Sequence, residues 1–151
     1  MSITLTLPYP ISANRLWRTR VVGKIAMTYL SPEGKAYKHE VAMIARVAGV
    51  KAPITGRVAI DYVLYPNRPL DYKRRMARDP AGWDDTVMCL DLDNAQKVLL
   101  DSLKGVVMED DKWVRSITAR RAEPDGVARL VVTVTPIAAN QLQPTLFESA
   151  T

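Results

Sequence analysis

Asp91-Leu92-Asp93 places two carboxylates two residues apart. Both side chains leave one face of the chain if the backbone there is extended. One helix-length later the acidic cluster Glu109-Asp110-Asp111 follows. Carboxylates that repel one another gather when something positive holds them. A hard divalent cation such as Mg²⁺ takes oxygen ligands and keeps waters and substrate phosphate around it. Lys97, one turn after Asp93, adds an ammonium suited to a phosphoryl group that gains charge during reaction. Asp101 stands four residues beyond Lys97, at the spacing of a helical ion pair.

The elements around these residues follow from pattern. Thr86 to Leu92 is a short apolar run and reads as a strand-like lead-in. Asp93 then reads as a helix cap, with Gln96 completing a box-like pattern. Val98, Leu99, Ser102 and Leu103 form an inward stripe, with Asn94, Lys97, Asp101 and Lys104 opposite; Gly105 ends the helix. A helix of this length spans only about 16 Å. The order strand, helix, strand is therefore expected to bring Asp91, Asp93 and Asp110 or Asp111 within reach of one another.

The remaining segments supply a scaffold. Ile3 to Leu7 alternates and reads as a strand stopped by Pro8. The Arg-rich segment Ile11 to Met27 has no clear period and reads as a loop or short hairpin. Ser31-Pro32-Glu33 starts a helix running to about Val47, with Tyr37, Val41, Ile44 and Ala48 at helical spacing and Gly49 as its C-cap. Arg57 to Tyr65 alternates as a half-buried strand. Pro66 to Trp83 is polar, basic and aperiodic, and reads as a mobile loop. Lys112 to Arg121 and Val127 to Thr135 read as strands joined by a Pro124-Asp125-Gly126 turn. The expected fold is a single α/β (α+β) domain over residues 1–136, with a small mixed β-sheet and two main helices. Residues 137–151 read as a flexible tail.

Bulk properties restrict the chemistry. The 151 residues suffice for one core. A net charge of +5 favours a polyanionic partner. Cys89 is the single cysteine and His39 the single histidine. That excludes an internal disulfide framework and disfavours a Cys/His zinc site or a histidine-driven nucleophile. No apolar run approaches a membrane span and no signal peptide is evident, so the cytoplasm is the expected compartment.

The motif Asp91-Leu92-Asp93-Asn94-x-x-Lys97-x-x-x-Asp101-x-Leu103, followed by Asp110-Asp111-x-x-Val114, resembles the RusA family of Holliday junction resolvases. Pro8-Tyr9-Pro10-x-Ser12-x-Asn14-Arg15 and Ser31-Pro32-Glu33-Gly34-x-x-Tyr37 resemble that family's N-terminal segments, so the likeness covers about residues 3 to 135. It implies a dimeric, Mg²⁺-dependent endonuclease of mixed α/β fold that nicks four-way DNA junctions symmetrically, with Mn²⁺ as an alternative ion. It further implies Asp91, Asp93 and Asp111 as metal-binding catalytic acids and Lys97 as the catalytic base-pair partner of the phosphate. Asp110 is the lesser candidate of its pair. Family members often carry a basic residue before the first acid, where this chain has Leu90. The loop from Pro66 to Trp83 also looks longer than usual, and its Arg74 and Arg75 are candidates to replace that charge.

Asn14, Arg15, Arg18, Arg74 and Arg75 are candidate DNA contacts; a solvated basic surface is the plainer reading. Arg20 and Lys24 extend the same basic segment. Trp17 and Trp113 are of a type that stacks on unpaired bases, although core or interface packing suits both. Two other functions merit comparison. An apolar run before Asp-x-Asp also opens haloacid-dehalogenase-like phosphatases, but Asn94 and the short remaining chain disfavour them. A non-catalytic dimer that binds branched DNA would have no use for the intact acids. In the tail, Gln143-Pro144-Thr145-Leu146-Phe147 resembles the peptide by which bacterial repair proteins dock on the sliding clamp. Gln143, Leu146 and Phe147 would be its anchors.

Overall fold

The computed structural model describes residues 1–138. The pentapeptide Gln143 to Phe147 lies outside them. A four-stranded mixed sheet forms the centre: β1 (Ile3–Pro8), β6 (Arg129–Pro136), β4 (Val58–Tyr65) and β5 (Val114–Arg121), in that order. β6 is antiparallel to both neighbours, and β4 and β5 are parallel. The alternation expected in β4 is present: Val58, Ile60, Tyr62 and Leu64 are buried and the residues between are not. Leu5 and Leu7 from β1, and Leu130, Val132 and Val134 from β6, share that face.

Two long helices cover it, α2 (Pro32–Val47) and α4 (Leu92–Leu103). The Ser31 hydroxyl caps α2 by accepting from the Gly34 amide at 2.9 Å, as its sequence implies. The buried stripe of α2 is Tyr37, Val41 and Ala45, with Ile44 at its margin and Ala48 exposed. Ala48 is the C-cap and Gly49 follows it with φ +96°. Val98, Leu99, Ser102 and Leu103 of α4 are all buried, as expected.

The stretch from Ile11 to Met27 holds the short hairpin that was one of its two readings, β2 (Trp17–Val22) with β3 (Ile25–Leu30), after a single turn, α1 (Ala13–Leu16). Its lack of period has a physical cause: every residue of β2 is exposed, so no face selects apolar side chains. The basic loop contains α3 (Tyr72–Arg78), which likewise buries nothing. Local charge holds α3 together: Asp71 receives Arg74 at 3.1 Å and Arg75 at 2.9 Å. Thr86 to Leu92 forms no strand. It leaves a 3₁₀ turn (Trp83–Thr86) and runs unpaired to α4. Side chains satisfy its main chain instead. The Leu90 amide donates to the Tyr9 hydroxyl at 2.8 Å, and the Arg121 guanidinium donates to Val87 O at 2.9 Å. A second 3₁₀ turn, Asp111–Trp113, takes the place expected for the start of β5.

Candidate functional site

Asp91 is the N-cap of α4, two residues before Asp93, which was expected to serve, and Asp93 lies inside the first turn. The Asp91 side chain makes no capping hydrogen bond. Both carboxylates are exposed. They therefore project from a helix N-terminus with their oxygens uncommitted. Asp93 and Gln96 do not build the expected capping box, since Asp91 is the N-cap. Asn94 Oδ1 accepts from the Ala13 amide at 3.0 Å, fastening α1 to the helix. The Tyr62 hydroxyl donates to Leu92 O at 2.9 Å and lies 3.2 Å from Gln96 Oε1, fastening β4 to it. Burial and then the nearby charge of Asp93 push the Tyr62 hydroxyl above its ordinary value. Tyr9 braces the segment that enters the helix. Reading the sequence missed these supports, although Tyr9 and Asn94 both lie in the motifs it singled out.

Lys97 is exposed, one turn beyond Asp93, and holds no ion pair among the described residues. The expected Lys97–Asp101 pair is not formed. Asp101 Oδ2 is buried and has no hydrogen-bond partner among the described residues, and Lys97 is exposed.

Asp110 and Asp111 stand elsewhere. The Lys104 ammonium, just past the far end of α4, lies 3.9 Å from Asp110 Oδ2. The Asp110 side chain accepts from the Lys112 amide at 3.2 Å. A hydrogen bond between Asp111 and Asp110 raises the Asp111 carboxyl above the usual carboxylate range, with burial and the Asp110 charge adding to it. The same bond, then the Lys112 amide, lowers Asp110. The 12 residues of α4 span about 18 Å. This pair is thus a helix length from Asp91 and Asp93 in one chain. The chain reverses within a few residues of Leu103, so it comes back to the wrong end of the helix. Among the described residues no three Asp, Glu, His or Cys side chains group as a metal site. Asp91 and Asp93 alone have the chemistry of the two-carboxylate form, in which Mg²⁺ keeps waters and takes substrate phosphate as further ligands. One chain fits that form and not a three-carboxylate cage.

The candidate DNA contacts divide. Asn14 and Arg15 in α1 and Arg18 in β2 are exposed. Arg75 is committed, bonding Asp71 and the main-chain and side-chain oxygens of Thr86. It also lines, with Tyr9, Asn67, Met88 and Leu90, an open cleft of about 530 Å³. A cation thus stands near Leu90, where the resemblance leads one to expect a basic residue. Arg74 is largely exposed despite its bond to Asp71. Trp17 is half-exposed, Trp113 lies under the Lys112 ammonium, and His39 is exposed on α2.

The family model for endodeoxyribonuclease RusA matches residues 8–135 of the 151. The chain belongs to the RusA endodeoxyribonuclease family. No curated protein matches it. Membership implies Holliday junction resolvase nuclease activity, and RusA resolvases generally depend on a divalent metal and act on branched DNA as dimers. The matched span contains all four residues singled out for chemistry: Asp91, Asp93, Lys97 and Asp111.

Proposed function

We propose that this protein is a Mg²⁺-dependent endodeoxyribonuclease that resolves four-way junctions by paired symmetric nicks, in recombination and repair in the cytoplasm. The observation that carries the reading is the pair of uncommitted carboxylates, Asp91 and Asp93, with Lys97 one turn on, inside a RusA match. Asp91 and Asp93 would hold the ion. When bound, it would supply Lewis acidity toward a phosphate oxygen and its bound water. Lys97 would donate to a non-bridging oxygen of the scissile phosphate as charge builds there. The braced helix end would hold these groups steady against that phosphate, and the net charge of +5 favours DNA as the partner.

Asp111 enters this scheme from a second copy. Within a chain it is a helix length from Asp91, and a two-fold axis that sets α4 of one copy against α4 of another would bring opposite ends together. Such a homodimer would carry two related sites, as two symmetric nicks require. In the tail, Gln143, Leu146 and Phe147 are retained as a docking peptide for the sliding clamp.

The test is a nicking assay on a synthetic four-way junction and a linear duplex of the same sequence. Paired nicks in the junction that need Mg²⁺, or Mn²⁺ in its place, are expected. Junction binding without nicking at any metal concentration would favour the non-catalytic dimer instead.

A further inference from the structure

The hairpin of β2 and β3 is a sheet of its own. A lone two-stranded hairpin is marginal in water. This one also exposes Trp17, Val21, Val22, Ile25, Met27 and Tyr29. Its register sorts them. One face carries Arg18 opposite Tyr29, Arg20 opposite Met27, and Val22 opposite Ile25. Gly23, at φ +65°, and Lys24 make the turn at the tip. Residues 17 to 30 hold three cations and no acid. The face therefore sets a cation beside an apolar side chain along its length and is apolar at its end.

The base is fixed. Leu16 is buried, its carbonyl accepts from the Ser31 amide at 2.9 Å, and the Ser31 hydroxyl donates to Arg15 O. Ala13 donates to Asn94, the residue after Asp93. Gly34 allows this docking: a Cβ there would lie 2.8 Å from Leu16 O. A ribbon of six-residue strands, about 20 Å long, thus projects from the same framework that holds the candidate acids.

We propose that this ribbon enters the branch point of the DNA, with Val22 and Ile25 wedged against unstacked bases and Arg18, Arg20 and Lys24 on the flanking phosphates. The proposal rests on the nuclease reading above. Charge selects the occupant. A second copy of the ribbon would set like charges against one another, whereas DNA supplies phosphates for the cations. Apolar side chains that open a base step are a general means of bending DNA, and a two-stranded ribbon has the width of a DNA groove. A branch point already lacks part of its stacking, so insertion there costs less than in a duplex.

The test uses a four-way junction with 2-aminopurine at the branch point and Mg²⁺ withheld. The parent should raise its fluorescence on binding. Val22→Ser with Ile25→Ser should remove that rise while weakening binding by no more than about threefold, because phosphate contacts dominate affinity. Both side chains are exposed, so thermal melting should be unchanged. As an independent arm, Arg18→Gln with Arg20→Gln should reduce the slope of log affinity against log salt by about two. An undiminished rise with the tip variant, or an unchanged salt slope, overturns the proposal. So does a tip variant that sediments as a monomer where the parent is a dimer, since the face would then join two copies. A parent that gives no metal-dependent nicking overturns the nuclease reading itself. A parent that nicks, with a tip variant that still unstacks the branch, overturns the ribbon alone.

Discussion

The N-terminal end of α4 and the β2–β3 ribbon are neighbours built in opposite ways. At the helix end, main chain or side chains are held by Tyr9, Ala13, Tyr62 and Arg121, each from another segment. Asp91 and Asp93 are left free on a braced mount. The ribbon is braced only at its base, and its strands are exposed on both faces. A group that must meet a phosphate within a fraction of an ångström gains from bracing. A surface that must follow a deformable branched substrate gains from reach. One framework thus carries a braced end and a projecting ribbon, with Asn94 as the direct link between them.

The sharpest way to break the comparison is to ask whether the braced end is complete in one chain. Asp91→Asn and Asp111→Asn proteins should each be inactive alone. Mixed after unfolding and refolding together, half the dimers pair one of each, and one of the two shared sites in such a dimer is intact. Nicking should return to roughly a quarter of the parent rate. No recovery would place all three acids in one chain's site and remove the shared arrangement.

Lys97→Ala should lower the nicking rate by about 100-fold, the usual effect of removing one donor to a developing charge. Melting should not move, since the ammonium holds no ion pair among the described residues and alanine suits a helix. A rate within a few-fold of the parent would make Lys97 an ordinary surface residue.

Gly34→Ala tests the link between the two regions. The added Cβ presses on Leu16 O, and overpacking of this kind costs about 1 to 3 kcal/mol. In a chain of this size each kcal/mol lowers the melting temperature by about 2 to 4 °C. Unstacking at the branch point should weaken along with it. An unchanged melting temperature would mean that α1 does not rest on α2 as described.

The smallest catalytic effect is expected in the tail. Leu146→Ala with Phe147→Ala should abolish micromolar binding of a tail peptide to the sliding clamp, on the order of −8 kcal/mol. Junction nicking by the free protein should not change. Equal clamp binding by both peptides, or by neither, would end the docking reading.

What the sequence disclosed depended on burial. β4 and α4 have one wet and one dry face, so their periods of two and 3.6 were readable, and Val58 to Leu64 and Val98 to Leu103 lie where the pattern put them. The ribbon and α3 bury nothing along their length and so left no period to read. Asp71 with Arg74 and Arg75 was the one local signal for α3, a helical charge spacing rather than an apolar one. The acids were legible as a motif, but their arrangement was not. A carboxylate spacing in sequence does not say which end of a helix the chain returns to, and here Lys104 holds Asp110 at the far end. The bond between Asn94 and Ala13 crosses 81 positions, beyond the range of any local pattern.

If Asp91 and Asp93 form the cutting end of a junction resolvase, loss of either carboxylate must abolish cleavage. The most direct measurement is cleavage of a four-way junction by the parent and by Asp91→Asn, with products mapped to the nucleotide, in Mg²⁺ and in chelator. Paired nicks at symmetric positions are expected for the parent in Mg²⁺. None are expected in chelator and none for Asp91→Asn, which should still bind the junction through its phosphate contacts. Nicking by Asp91→Asn at the parent rate would contradict that assignment.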